Sequence, residues 1–208
     1  MRLKKPDIEL RPLLAEDREQ FILDNQRAFL YGATEEFGLL DQHYDDEGQI
    51  ISRRTIERSI DSANARVYRI MEGERRVGGV VLQLAGERGD LDLFFVAPEA
   101  HSRGIGCMAW RMVEEMHPEI RVWETMTPYF EKRNIHFYVN RCGFHIVEFF
   151  NQAHSLAEYY LPEEEAGGSE CNDEMFRFEK IMPRREARRD DNRVNNIDDN
   201  RVDNTVDK

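Results

Sequence analysis

No stretch of this chain approaches the roughly eighteen consecutive apolar residues that a membrane-spanning helix requires. The opening Met1-Arg-Leu-Lys-Lys-Pro6 also lacks the apolar core of a secretion signal. A cytoplasmic location is the expectation. Cysteine is scarce: Cys107, Cys142 and Cys171 form an odd set without metal-ligand spacing, so reduced thiols are expected and neither a disulfide framework nor a metal site is. Surplus positive charge is missing too. With 29 Lys and Arg against 41 Asp and Glu, the net charge of -12 disfavours general binding to nucleic acid or to an anionic membrane. Nucleotide signatures are absent, since neither Gly-x-x-x-x-Gly-Lys-Ser/Thr nor the three-glycine dinucleotide fingerprint occurs.

What is present is a strand, a glycine turn and a helix in succession. Leu91, Leu93 and Phe95 alternate with Asp90, Asp92, Phe94 and Val96, the period of a strand, and strict alternation puts the latter four on one face. Ile105, Met108, Ala109, Met112, Val113 and Met116 recur at three and four residues, the period of a helix face. Between them lies His101-Ser102-Arg103-Gly104-Ile105-Gly106. Glycines there let a ligand approach the backbone, and the leading N–H groups of a helix have no intrahelical partner, so an anion fits. A tight bend with no ligand explains the same residues equally simply.

A second segment runs from Tyr129 to Phe144, where Gly143 suits the left-handed end of a helix and Phe144 to Phe150 has strand composition. Elsewhere, strands are expected at 8–12, 65–71, 77–84, 120–126 and 175–182, and helices at 15–33, 53–63 and 130–142. A loop is expected over 34–51. At 208 residues, 40% hydrophobic and 10% aromatic, the chain suits one domain of ordinary size, set at 1–182. Residues 183–208 differ: they are charged, poor in apolar residues, and carry the tandem repeat Asp190 to Ile197 and Asp198 to Thr205. Such a tail cannot offset its ordering entropy and is expected to be disordered, with a partner-binding arm as the alternative.

The turn 101–106 resembles motif A of the GNAT superfamily of N-acetyltransferases, Gln/Arg-x-x-Gly-x-Gly/Ala after a strand. The segment 129–144 resembles its motif B, a helix bearing a Tyr and closing at Gly-Phe. The resemblance spans about residues 7–182. It departs at His101, in place of Gln or Arg, and at Glu131, in place of a helix-start Asn. It implies an α/β fold of α+β type, with a mostly antiparallel mixed sheet splayed after the fourth strand and helices on both faces. It implies acetyl-CoA as co-substrate and an acetyl-CoA-dependent N-acyltransferase acting on a primary amine. A homodimer is compatible with it.

Carried over residue by residue, the resemblance assigns the cofactor to the backbone of Phe95 and Val96 and to His101, Ser102, Arg103, Gly104, Ile105 and Gly106. Asn134 is expected to stand in for the motif B Asn, and Phe137 completes the cofactor set. Of the adjacent aromatics, Phe137 is expected to face inward and Tyr138 the sulfur, as general acid for the thiolate. Asp90 and Glu124 are the candidate bases. Acidic loops at 35–47 and 162–174 suggest a cationic acceptor, a small molecule or a peptide amine, although solvated loops of an acidic protein read the same way. A non-catalytic acetyl-CoA sensor is the rival.

Overall fold

A computed structural model describes residues 6–37, 48–155 and 174–183. Seven strands form one sheet: β1 (Glu9–Pro12), β2 (Ala65–Glu72), β3 (Arg75–Ala85), β4 (Arg88–Val96), β5 (Val122–Pro128), β6 (His145–Phe150) and β7 (Met175–Ile181). Their order is β1-β2-β3-β4-β5-β7-β6. Only the β4–β5 pairing is parallel, and it spans just Arg88↔Val122, Gly89↔Trp123 and Asp90↔Glu124. Every other ladder is antiparallel. The splayed, mostly antiparallel sheet is the one the sequence predicts.

Helices cover both faces because their apolar stripes and those of the strands are complementary. On one face α1 (Arg18–Phe37) and α2 (Arg53–Asp61) bury Phe21, Ile22, Ala28 and Ile56 against Val81, Leu93 and Phe95. Ser52 caps α2 by accepting the Thr55 N–H at 3.1 Å. α1 is further fixed by Arg69 of β2, 3% exposed, which pairs with Asp17 at 2.6 Å and Asp24 at 2.8 Å and lies over the Phe21 ring. On the other face α3 (Ile105–Met116) and the motif B helix pack Trp110, Val113, Tyr138 and Cys142 against Val80, Leu82, Leu91, Trp123 and Phe178.

Several expected bounds shift. α1 continues to Phe37, so the loop begins later than residue 34. α2 ends at Asp61, and β5 is displaced to Val122–Pro128. The motif B helix begins as α4 (Lys132–His136) and widens into a π-helix over Phe137–Cys142, ending at Gly143 with φ 80°. Cys171, the tail 184–208 and nearly all of both acidic loops lie outside the described residues. Among the described residues no helix is long and apolar enough to cross a membrane.

Strict alternation along β4 fails, with consequences for the site. Val81 pairs with Leu93 but Leu82 pairs with Leu91, leaving Asp92 as an extra residue, a β-bulge. Leu91 therefore packs with α3, whereas Leu93 and Phe95 pack with α1 and α2. Asp90 and Phe94, expected on one face, lie on opposite faces: Asp90 alternates with Leu91 toward the α1–α2 side, and Phe94 packs on the α3 side.

Candidate active site

Backbone geometry in the turn between β4 and α3 leaves a run of N–H groups without a backbone acceptor among the described residues. A single 3-10 turn over Pro98–Ala100 engages the N–H groups of Ala100 and His101, which donate to the carbonyls of Ala97 and Pro98. Beyond it Ser102 and Gly104 both take left-handed backbone, φ 61° and 77°. Left-handed residues on either side of Arg103 curl successive N–H groups into a concave nest. For Ser102, a residue with a Cβ, that conformation costs on the order of 1 kcal/mol. The Met108 N–H makes the bond to the Gly104 carbonyl that starts α3, and the N–H groups of Ser102 to Gly106 donate to no acceptor among the described residues. They stand at the positive end of the α3 dipole. This donor set fits a pyrophosphate.

Side chains around the nest are braced. The His101 ring Nε2 donates to the Val96 carbonyl at 2.8 Å. Burial lowers its pKa, with nearby Arg133 contributing in the same direction and the Val96 bond opposing. His101 was expected to lend the nest an N–H, but both its backbone and its Nε2 hydrogens are already engaged, so it braces the turn instead. Arg103 is held by both oxygens of Glu72 at the end of β2. That pairing holds Glu72 below the usual carboxylate range.

Phe137 and Tyr138 exchange the environments expected of them. Tyr138 is the buried one, 8% exposed among Phe144 and Phe178. Phe137 is half-buried, stacks on Phe94 at 5.5 Å, and lies where a Cβ at Gly106 would come within 3.2 Å of its ring. Gly106 thus admits the motif B helix against the start of α3. Burial raises the Tyr138 pKa, with Thr125 acting in the opposite direction. Asn134, one turn earlier, is 3.4 Å from Thr127 Oγ1 and from Glu131 Oε2. Asn134 and Tyr138 therefore both address β5, where Thr125 and Thr127 are buried.

The two candidate bases differ sharply. Asp90 faces the α1–α2 side at the last β4–β5 pair and makes no hydrogen bond or ion pair among the described residues. Its pKa is pushed up to about 7, first by burial and then by Asp92 and Glu124. Asp92 instead accepts from Gln83 at 3.0 Å. Glu124 binds Arg177 at 3.0 Å and also Arg88. Beyond this pair β4 and β5 separate, and Thr125 Oγ1 bridges them by donating to the Leu91 carbonyl at 2.9 Å. Thr125 and Glu72 escaped the sequence reading; a polar residue at a buried strand position was the only signal for Thr125.

Cys107 and Cys142 stay outside this chemistry. Cys107 reaches the Arg141 carbonyl at 3.6 Å, and burial pushes the Cys142 thiol up to about 12. No cluster of His, Cys, Asp and Glu able to hold a metal occurs among the described residues.

A sheet opened beside a phosphate nest defines a class of acyl-CoA-using transferases. The chain belongs to the acetyltransferase (GNAT) family, whose pattern matches residues 23–144. It is 40% identical to the Bacillus subtilis (strain 168) protein YrkN over 185 residues, covering 88% of this chain and 97% of that one. Its fold is similar to that of the ribosomal-protein-S18-alanine N-acetyltransferase from Escherichia coli, with TM-score 0.59, 11% identity, and 88% and 98% of the two chains covered. It is also similar to the spermidine N-acetyltransferase from Vibrio cholerae, solved with CoA and spermine, at TM-score 0.55, 14% identity, and 84% and 95% covered. Family and fold agree that the protein is an acetyltransferase of the GNAT type.

Proposed function

We propose that this enzyme moves the acetyl group of acetyl-CoA to a primary amine, with Asp90 as base and Tyr138 as acid. One observation carries the reading: Asp90 and Tyr138 approach the same separation of β4 and β5 from opposite faces of the sheet. The nest of Ser102 to Gly106 would hold the pyrophosphate, the Phe95–Val96 edge the pantetheine, and Phe137 and Asn134 the wall beside it. A carboxylate poised near neutrality takes a proton from an ammonium arriving on the α1–α2 side. The freed nitrogen attacks the acetyl carbon, the carbon–sulfur bond breaks, and Tyr138 gives its phenolic proton to the thiolate. Glu124, already held by two guanidiniums, supports the wall.

The acceptor in this reading is cationic. Asp90 and Asp92 bring acidic groups to the opening, and the sequence of the loops 35–47 and 162–174 holds Asp and Glu with no Lys or Arg. Residues 1–182 form the catalytic domain, with 183–208 an accessory tail, in a cytoplasmic protein. The test is thiol release from acetyl-CoA with a panel of amines. Polyamines and basic peptides should exceed neutral amines in kcat/KM, by a margin that shrinks with salt. A panel led by anionic amino acids would overturn the cationic acceptor, and tight acetyl-CoA binding without transfer to any amine would point to the sensor.

A further inference from the structure

Gln83 of β3 stands directly opposite Asp90 of β4 in the antiparallel register. Both side chains rise on the α1–α2 side of the sheet, because the preceding pair, Leu82 and Leu91, packs on the α3 side. Directly opposed residues on one face have Cβ atoms about 5 Å apart. The two ends of the Gln83 carboxamide are in different situations. Its Nε2 donates to the Ser59 carbonyl of α2 at 2.9 Å and to Asp92 Oδ2 at 3.0 Å, which spends both hydrogens. Flipping the amide would set its oxygen against two acceptors, so the orientation is fixed. Its Oε1 is buried and has no hydrogen-bond partner among the described residues. Asp90 has none there either, so an orphaned acceptor and an unpartnered carboxyl share one register pair. We infer that Gln83 is a positioning residue for acetyl transfer, whose carboxamide holds Asp92 by its N–H end and receives the hydrogen of a protonated Asp90 at its oxygen end.

The proton balance is direct. As an acceptor ammonium meets Asp90, one N–H bond breaks with its electron pair left on nitrogen, and the proton forms an O–H bond on the carboxylate. That O–H is a new donor, and Gln83 Oε1 is the acceptor across the register pair. The bond exists only while Asp90 is protonated, so it strengthens Asp90 as a base and is released when the proton passes to water. A buried amide oxygen without a donor is unfavourable, and the protonated acid relieves it. The other end of the same group fixes Asp92 at the bulge. The remaining titratable groups around Asp90 are Glu124 on β5, with its partners Arg88 and Arg177, and Tyr138 across the sheet.

This inference rests on Asp90 being the base, so the experiment reads the bond and the reaction separately. The infrared difference between wild type and Asp90→Asn, taken about one and a half pH units below the Asp90 midpoint, isolates the C=O stretch of its protonated carboxyl. That band moves to higher frequency when the acid O–H loses its acceptor. It should do so in Gln83→Leu, measured against Gln83→Leu/Asp90→Asn. The rising limb of kcat/KM against pH should move down in Gln83→Leu by about half a unit or more, because only the protonated form has lost a hydrogen bond. Leucine also makes the surroundings more apolar, which alone would move the limb up, so the direction separates the two causes. Should Gln83→Leu not fold, Gln83→Met makes the same comparison. An unmoved band in the folded variant, or a limb that stays or rises, would overturn the inference while leaving Asp90 as base. Absence of the band from the wild type would overturn it too. A wild-type limb in Asp90→Asn would remove the base itself, and this role of Gln83 with it.

Discussion

Asp90 and Glu124 face each other in the last register pair joining β4 to β5, yet their surroundings give them opposite chemistry. Asp90 has burial and two neighbouring carboxylates, and its affinity for a proton rises to about 7. Glu124 has two guanidiniums, Arg88 and Arg177, in a network that includes Glu148 and Glu179. Position on the sheet places both acids beside the proposed reaction. Partners decide which one can take part in it.

The largest test of that contrast is kinetic. Asp90→Asn should lower kcat/KM on the order of a hundredfold, whereas Glu124→Gln should stay within about threefold. The wild-type rate should climb as pH passes about 7, and the Asp90→Asn variant should lose that limb. Equal losses in the two variants would erase the distinction.

Stability should separate them next. The Asp90 pKa is raised above its unfolded value of about 3.9, so its contribution is whole below that pH and is lost as pH climbs through about 7. Asp90→Asn should therefore be the more stable protein at pH 8, on the order of a few kcal/mol, with the gain vanishing below pH 4. Urea unfolding at both pH values measures it, and a variant less stable than wild type at pH 8 would contradict the unpaired state of Asp90.

Binding can be broken without touching either carboxylate. Gly104→Asp puts a carboxylate beside the nest at a residue with φ 77°, and calorimetry should find acetyl-CoA affinity at least about tenfold weaker. Unchanged affinity would remove the nest from the cofactor site. The smallest effect belongs to Glu124→Gln, which should destabilise by about 1 kcal/mol, less in high salt, because Arg177 keeps Glu148 and Glu179.

Much of this was legible in the chain. The 3.6 and 2.0 periods around Gly104 located β4 and α3, and Gly143 marked the end of the motif B helix. The bulge at Asp92 was not legible, because it is a property of two strands and appears only when β3 is laid beside β4. That one extra residue separated Asp90 from Phe94. Phe137 and Tyr138 were exchanged for a related reason: adjacent aromatics do not reveal which ring turns to the core, and Phe178, against which Tyr138 packs, lies on another strand. Ser102 was counted in the cradle, but its left-handed backbone is imposed by the closed turn and has no sequence signature of the kind glycine gives.

The insertion of β7 between β5 and β6 has a consequence for how the protein is made. β5 forms the second wall of the opening, and along Val122–Pro128 its outer neighbour is Met175–Ile181, near the other end of the described chain. While those last residues are still within the ribosome, β5 and β6 present bare edges, and the core lacks Phe178 of β7. Such edges are what chaperones cover and what stray strands seek. Loop closure over some fifty residues must precede the final ladder, which slows this half of the sheet relative to the β2–β3–β4 meander. Synthesis thus yields the half with the β4–α3 turn first and the complete sheet only when the late strand slots into place.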